Sequence, residues 1–370
     1  MEGSSGGFMQ KNLVAFLVFG VAASTVQAQT NVDIYGIIDG GYVKRTGRDP
    51  GMAANNESRI GFRGSEELGG GLKAVFELER RLDVATGQAT ARYNANDFLG
   101  GMPARNQAAR DWQGAANVGL ASDAWGILRI GRVNNPVVES YRKIDPFNNY
   151  SVGASLTADG NALYSEQLAS TLRYDSPNWG GFSFGLSWTV SRDDRSNPSV
   201  SEYSNDGWSI GLQYDNGPLL LLGNFSRPAN SDSSNVWNLG AAGRFGNVIV
   251  SVGYQDTRVT AGVAEWITDG TRFAGKFKGR DARQREAILG LQWNAGPGQF
   301  NASFNHAVLA HKYSAGYTWN LSRRTAVYGI LSYLDAKDSA GGWLYSGGLD
   351  GRGLERDSVT SMQIGMTHRF

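Results

Sequence analysis

The sequence contains no cysteine and only three histidines among its 370 residues. The absence of cysteine excludes disulfides, thiol nucleophiles, iron–sulfur clusters and cysteine-ligated zinc, and three histidines leave little material for a metal site. We therefore expect no metal and no other cofactor. Lysine and arginine number 35 against 34 aspartates and glutamates. A chain this close to neutrality lacks the basic excess of a nucleic-acid-binding protein.

Long apolar runs are also missing, apart from one near the N-terminus. There, Lys11 precedes an apolar stretch over residues 13–23, and Val26-Gln27-Ala28 puts small residues at the cleavage positions. This order is typical of a secretory signal, and the stretch is too short to cross a hydrocarbon core of ~30 Å as a helix. We predict a signal peptide over residues 1–28, with residues 1–8 as an upstream extension, followed by a single domain over 29–370.

Proline is scarce, at 9 residues, whereas glycine is abundant, at 50, and 10 Trp, 15 Tyr and 16 Phe are present. This composition excludes a collagen-like or disordered chain. The prominent pattern is a strict alternation: over residues 182–190, large apolar side chains alternate with Ser, Gly and Thr. The pattern recurs around residues 208–215, 247–254, 299–305 and 312–319. A period of two predicts β-strands whose two faces meet different surroundings.

The polar face of these strands is mostly Ser, Gly, Asn, Gln and Thr, whereas the surface of a soluble β-sandwich is rich in Lys and Glu. Aromatic residues cluster at strand ends, as in an outer-membrane barrel; they are Trp179, Trp188, Trp293, Trp319 and Tyr333. Short connections alternate with long ones over residues 84–112, 135–168, 193–205, 259–283 and 336–355. We count roughly sixteen strands, an even number, as single-chain bacterial barrels have.

The C-terminus ends on a strand pattern as well. Met362, Ile364, Met366 and His368 share one parity with the terminal Phe370. We predict that this strand pairs with the first strand to close the barrel. Phe370 is then the barrel-end signal through which the chain meets the barrel-assembly machinery.

Several segments resemble a known family. Residues 32–39 (VDIYGIID), 58–79 (SRIGFRGSEELGGGLKAVFELE) and 172–177 (LRYDSP) are similar to strands of the Gram-negative trimeric porins. Residues 143–147 (KIDPF) and 367–370 (THRF) resemble the β-proteobacterial branch. The resemblance implies an all-β, 16-stranded antiparallel transmembrane β-barrel with an inward-folded third loop. It also implies a homotrimer that is embedded in outer-membrane lipid.

Strand parity and the resemblance together predict which residues line the pore. Ile60 and Phe62 take the lipid side, so Arg59 and Arg63 face the lumen. Arg59 and Arg173 resemble arginines of the family's basic ladder. The predicted basic pore residues are Arg59, Arg63, Arg81, Arg129 and Arg173; the acidic ones are Asp39, Glu77, Glu79, Glu139 and Asp145.

The third loop, expected over residues 135–168, offers Glu139, Asp145, Asp159 and Glu166, of which Asp145 is our first choice for the constriction. The chain departs from the family at Gly114, where an arginine is common, so Arg81 or Arg129 is expected to substitute for it. Arg132 shares the outward parity of Leu128 and Ile130. In the family this position faces the neighbouring subunit, so we assign Arg132 to the trimer contact.

The resemblance implies a water-filled channel for passive diffusion of small hydrophilic solutes and ions. The arginines on the predicted wall favour a mild preference for anions. A channel selective for a small organic acid or sugar stays open, as does a soluble, secreted β-sandwich that binds a ligand. Residues 181–185 match the nucleophile-elbow pattern, but Ser183 lies inside a predicted strand rather than at a strand–turn–helix bend. We therefore expect no enzymatic activity.

Overall fold

A computed structural model describes residues 30–89, 111–156, 166–190, 205–229, 231–262, 264, 278–345 and 354–370. The predicted signal peptide, Asp159 and parts of the predicted long loops lie outside these ranges. The strands are β1 (Thr30–Arg45), β2 (Gly51–Ala53), β3 (Arg59–Gly69), β4 (Leu72–Arg81), β5 (Ala116–Ser122), β6 (Gly126–Asn134), β7 (Gln167–Asp175), β8 (Phe182–Thr189), β9 (Gly207–Asn216), β10 (Leu219–Arg227), β11 (Asn235–Phe245), β12 (Val248–Val259), β13 (Ala282–Ala295), β14 (Gly298–Ala307), β15 (Ala310–Asn320), β16 (Thr325–Ala336) and β17 (Ser358–Arg369). The described helices are α1 (Pro136–Tyr141) and α2 (Ser339–Tyr345), and a 3₁₀ turn spans Arg142–Ile144.

The strands form one closed antiparallel sheet. From β3 to β17 each strand pairs with the next one along the chain, and β1 pairs with β3 on one edge and with β17 on the other. Within the described ranges, the short β2 pairs only with β1, where Tyr42 lies opposite Met52. Leaving β2 aside, sixteen strands make the wall, which confirms the number expected from the sequence. Closure leaves the wall without unpaired strand edges.

The last residue completes this closure. The amide of Phe370 donates to the carbonyl of Gly36 at 3.1 Å, and the amide of Gly36 donates back to the carbonyl of Phe370 at the same distance. The phenyl ring lies where a side chain on residue 36 would otherwise project. Glycine at position 36 therefore allows the terminal ring to lie across β1.

The outward face of the wall is apolar. Val118, Ile130, Leu239, Ile364 and Phe245 are each between 56% and 66% exposed. A soluble protein rarely exposes a continuous apolar surface of this kind, whereas a membrane barrel needs one. The alternative of a soluble β-sandwich is therefore not supported. Among the described residues, no helix is long and apolar enough to cross a membrane.

The loop between β6 and β7 folds into the barrel. Asn135 accepts a hydrogen bond from the amide of Val137 and caps α1, whose first residue is proline, an arrangement that helix starts favour. Tyr141 at the end of α1 and Ile144 of the 3₁₀ turn pack against inward-facing apolar side chains of β10, β11 and β13. Phe147 and Val152 pack against Tyr328 and Ile330 of β16.

Polar contacts hold the same loop against the wall. Ser251 of β12 donates to the carbonyl of Ile144 at 2.6 Å. Lys312 of β15 donates to the carbonyl of Ala154 at 2.7 Å, and Gln363 of β17 accepts from the amide of Val152 at 3.1 Å. The loop is thus fixed to the wall at three strands, and it narrows the lumen.

Candidate functional site

A group of charged side chains joins the wall to the base of the inward loop. Arg81 of β4 lies at its centre. Its Nη1 atom is 2.9 Å from Oε2 of Glu166 and also contacts Glu57, and its Nε atom is 3.3 Å from Oε1 of Glu79. The hydroxyl of Tyr150 is 2.8 Å from the same Oε2 atom of Glu166. We call Arg81, Glu57, Glu79, Glu166 and Tyr150 the central network.

Burial and neighbouring charges shift the pKa values of the two loop members of the central network, Glu166 and Tyr150, in opposite overall directions. Burial by itself raises the pKa of Glu166, but Arg142 and Arg81 outweigh it and lower that pKa to about 2. Burial raises the pKa of Tyr150, and the carboxylates of Glu166 and Glu57 raise it further. At neutral pH, Glu166 is therefore a carboxylate and Tyr150 a neutral hydrogen-bond donor to it.

The central network continues along the wall through side chains of inward parity. Nε of Arg59 is 3.4 Å from Oε2 of Glu79. Tyr35 of β1 donates to Oε1 of Glu77 at 2.9 Å, and its hydroxyl is 3.2 Å from Glu79. The wall beside the loop therefore carries cationic and anionic groups in alternation, so much of its charge is internally compensated.

A second cluster lies where β6 and β7 meet α1. Nη2 of Arg173 is 2.7 Å from both Asp175 and Glu139, and Nη1 of Arg129 is 2.8 Å from Asp175. Arg173 also donates to the backbone carbonyl of Asn134. Arg173 is thus mainly a link between wall and loop, whereas Arg129 and Glu139 keep more exposed surface.

Strand register shows which predicted residues share the lumen face. Arg59 lies opposite Arg81, and Arg63 lies opposite Glu77. Arg129 lies opposite Arg173. Residues that are directly opposite in an antiparallel pair project to the same side, and the intervening Ile60 and Phe62 project outward.

Four of the predicted pore residues are buried, and they are Asp39, Glu79, Arg81 and Asp145. The side chain of Arg81 is 5% exposed because the central network surrounds it. Asp39 accepts hydrogen bonds from Tyr328 at 2.7 Å and from the amide of Asn55 at 2.8 Å. Arg81 and Asp39 therefore stabilise the wall and its loops.

Asp145 of the inward loop is buried as well. Its carboxylate accepts from the amides of Phe147, Asn149 and Ser155 at 2.9–3.1 Å. Burial raises the pKa of Asp145, against the effect of those amides and of Lys312. The carboxylate points into the loop and shapes its turn, so its position argues against a role at the constriction.

The departure at Gly114 has a steric cause. A Cβ on residue 114 would lie 2.7 Å from Cβ of Glu79, so the inward carboxylate occupies the space that a larger residue would need. Arg132 follows the outward parity, opposite Ala116. Its Nε donates to the carbonyls of Gln113 at 2.9 Å and Gly114 at 3.0 Å. The trimer contact assigned to Arg132 remains a prediction.

Two cavities open beside these clusters. One of about 350 Å³ is lined by three of the predicted pore residues, Arg63, Glu77 and Arg129. The other, of about 530 Å³, lies between the loop and the short-turn end of β13–β17. Its charged lining residues are Arg142, Lys143, Asp145, Arg323, Arg324 and Arg369. Because the carboxylate of Asp145 is turned into the loop, cationic groups dominate this cavity.

Glu57, Arg142 and Tyr150 were not found by sequence reasoning. They lie in connections that have no periodic pattern, and only the folding of the loop brings them to Arg81. Tyr35 shares the parity of Asp33 and Asp39 on β1, so the alternation contained a signal for its inward position.

Comparison with known proteins agrees with this architecture. A family model for Gram-negative porins matches residues 14–339. The chain belongs to the Gram-negative porin family. An outer membrane porin of Bordetella pertussis is 27% identical to this porin, covering 98% of this chain and all of that one. Outer membrane porin protein 32 of Delftia acidovorans is 28% identical with the same coverage.

Solved porin structures share the fold. An anion-selective porin from Comamonas acidovorans superimposes with a TM-score of 0.71 at 22% identity, over 92% of this chain and all of that one. Salmonella typhi OmpF gives a TM-score of 0.64 at 17% identity, over 92% and 97%. This porin is therefore a β-barrel of the bacterial outer membrane.

Proposed function

We propose that this porin forms a water-filled channel for passive diffusion of small hydrophilic solutes and ions, with a mild preference for anions. The observation that carries the preference is the cavity of about 530 Å³, with its exposed Arg323, Arg324 and Arg369 at the short-turn end. Rings of like charge at a pore bias which ions enter, and arginine stays charged at every working pH. No catalytic step is part of this proposal, since Ser183 lies within β8.

The predicted arginines differ in how strongly they act on ions. Arg59, Arg63 and Arg129 keep exposed surface on the lumen face, whereas Arg173 is largely enclosed by Glu139 and Asp175. All four arginines have a carboxylate partner, but a paired charge that is also enclosed attracts a passing anion more weakly than one that stays in contact with water. The proposal therefore assigns most of the preference to the exposed cations.

A sugar-selective channel is the second candidate, favoured by amides on the cavity wall. Gln292 lies opposite Asn301, and Asn294 lies opposite Gln299, and all four line the larger cavity. Each amide offers both donors and an acceptor, which suits hydroxyl-rich solutes. A chitoporin of Vibrio furnissii is 29% identical, over 73% of this chain and 74% of that one.

We further propose a homotrimer, with Arg132 near the contact between subunits, and recognition of the terminal strand by the barrel-assembly machinery. The exposed terminal Phe370, hydrogen-bonded at the seam to Gly36, supports an assembly signal that is read before the seam closes. Chemical crosslinking of the folded protein tests the trimer. Replacing Phe370 with Ser, and measuring the folded fraction in the outer membrane, tests the assembly signal.

The channel is tested by single-channel recording in a planar bilayer under a KCl gradient. Conductance steps in threes support a trimeric porin, and the sign of the reversal potential gives the ion preference. Purified, folded protein without channel activity would contradict the proposal. Current blocking by neutral oligosaccharides, but not by small carboxylates, would favour the sugar channel.

Charge variants identify the responsible arginines. One unit charge acts on another 4 Å away with about 1 kcal/mol in water, so each lost charge changes relative permeability by up to about fivefold. The double variant Arg323→Ser/Arg324→Ser and the single variant Arg59→Ser are expected to shift the reversal potential toward cations. Arg80→Ser is the matched control, because Arg80 lies opposite the outward-facing Ile60. An equal shift of the reversal potential in the control would show that the lumen arginines do not cause the ion preference.

A further inference from the structure

Two of the three histidines face each other on the outward side of the barrel. His306 of β14 lies directly opposite His311 of β15, and a turn over residues 308–309 joins the two strands at the long-loop rim. His306 is exposed and His311 is half-buried, whereas the alternate residues Asn305 and Lys312 are buried on the lumen side. We call His306 and His311 the histidine pair. Neither imidazole reaches the lumen, so the channel function does not account for the pair.

A row of aromatic side chains lies directly below the histidine pair. Phe304 lies opposite Tyr313, and Tyr313 lies opposite Tyr333. The ring of Phe304 stacks on that of His311, with 6.0 Å between centroids and 12° between planes, which restricts the orientation of this imidazole. Aromatic girdles mark the level where hydrocarbon ends. The histidine pair therefore lies beyond the hydrocarbon, where a hydrated cation from outside can reach it.

The ring nitrogens of the histidine pair are spaced for one metal ion. The two Nδ1 atoms are 3.2 Å apart, and the ring centroids are 4.7 Å apart. Two nitrogens that bind one ion at about 2.0–2.1 Å, with an angle of about 90–110° between the bonds, lie about 2.9–3.4 Å apart. The same spacing fits a hydrogen bond between the two imidazoles, in which a shared proton takes the place of the ion.

The charges on the neighbouring strands suit a cation. Asp335 of β16 lies opposite His311 and is exposed on the same face. On the other side, β13 places the uncharged Ala287 opposite His306, and Arg285 of that strand is bound to a carboxylate at 3.3 Å. Among the described residues, no group of three or more histidines and carboxylates is arranged to hold a metal ion. An ion at the histidine pair would therefore take its other ligands from water.

We propose that the histidine pair binds one divalent transition-metal ion through its two Nδ1 atoms. Imidazole suits Cu²⁺, Ni²⁺ and Zn²⁺, with Cu²⁺ bound most tightly, whereas Mg²⁺ and Ca²⁺ take oxygen ligands. The bound ion bridges β14 and β15 at the outer rim and stabilises their hairpin, independently of what passes through the lumen. The sequence-based expectation of no metal rested on the scarcity of histidine, but strand register brings two of the three histidines together.

The test measures metal binding by the folded full-length protein in detergent, without an affinity tag. Cu²⁺, Ni²⁺ and Mg²⁺ are the probes in calorimetric titrations, and electron paramagnetic resonance of bound Cu²⁺ counts its nitrogen ligands. His306→Gln and His311→Gln each remove one ligand. His368→Gln is the matched control, because the third histidine lies at the opposite rim and contacts Thr325 at 2.9 Å. Gel mobility of unheated protein checks folding, and conductance of the same preparations keeps the metal result separate from the channel result.

We expect the unaltered protein and His368→Gln to bind one Cu²⁺ per chain through two nitrogens, more tightly than Ni²⁺ and without binding Mg²⁺. Each variant of the histidine pair should lose affinity for Cu²⁺ by about tenfold or more, since one of its two protein ligands is gone. Binding should also weaken from about pH 7.5 to about pH 5.5, because only neutral imidazole binds a metal ion.

Three results would overturn the proposal. If the unaltered protein binds no Cu²⁺, the contact between the imidazoles is only a hydrogen bond. If all four proteins bind Cu²⁺ equally, the ion lies at another place on the chain. If one variant of the histidine pair keeps full affinity, the remaining histidine acts alone and the pair is not a chelating site.

Discussion

Replacing Arg81 with methionine tests whether the central network holds the loop in the lumen. The guanidinium contacts Glu57, Glu79 and Glu166, and its side chain is 5% exposed. Methionine keeps much of the volume but removes the charge and all the donors. Glu79 retains Arg59, and Glu166 retains Arg142. Glu57 retains the hydroxyl of Tyr150 but loses its contact with Arg81.

Removing one partner of a buried ion pair costs about 3–5 kcal/mol, because the remaining charge is left without compensation in a poorly solvated place. We expect the free energy of unfolding of the barrel to fall by about this amount. The fall reflects the cost of protonating a carboxylate or of admitting water to the site. The link between the wall and the end of the loop at Glu166 also disappears. The loop should then move more, so that the open-channel current becomes noisier.

Arg63→Met is the matched control. Arg63 has the same inward parity, but its side chain is 61% exposed and its ion pair with Asp33 is 3.6 Å long. Exposed pairs contribute only about 0–1 kcal/mol. The measurement is the temperature at which the compact form on a denaturing gel converts to the unfolded mobility, followed by recording of single-channel noise. Equal transition temperatures in the two variants would refute the reasoning.

Further predictions concern pH, closure and anchoring. The pKa of Glu166 is about 2 in the folded protein, against its usual 4.5. Its carboxylate therefore contributes about 3 kcal/mol to the free energy of unfolding above pH 4.5, and this contribution is lost as the pH falls toward 2. The transition temperature of Glu166→Gln should vary less over this interval than that of the unaltered protein, and parallel curves of transition temperature against pH would contradict this. Gly41→Ala should destabilise the seam by about 1–3 kcal/mol, because the new Cβ would lie 2.9 Å from Cα of Gly365. Gly329→Ala is the control, because its new Cβ would meet nothing within 4 Å, and similar losses of heat stability in the two variants would argue against a steric cause. Lys312→Met removes the donor to the loop carbonyl of Ala154 and should increase current noise, and an unchanged record would exclude this anchor.

The alternation of the sequence was sufficient to predict strands, their number and their outward faces. A period of two is a local property, because the alternation within each strand indicates which of its faces meets lipid. The apolar set at Met362, Ile364 and Met366 lies outward because β17 pairs with β1 in the register that this alternation requires. The inward parity of Arg59, Arg63 and Arg173 follows for the same reason.

Parity was not sufficient to predict exposure. Arg63 and Arg81 share the inward face, yet one is 61% and the other 5% exposed. The difference arises because Glu166 and Tyr150 lie over Arg81, whereas Arg63 lies near the turn beyond their reach. No pattern within the sequences of β3 or β4 predicts which distant segment of the chain buries a given residue.

Asp145 shows the same limit in the loop. An acidic residue in a lumen loop was expected to face the pore, but three nearby amides turn its carboxylate inward. The sequence alone determined the strands, the two faces and the lipid-facing surface of this porin, because these depend on the order of neighbouring residues. Only the tertiary structure decided which charges meet solutes, because exposure depends on contacts between segments that are far apart in the chain.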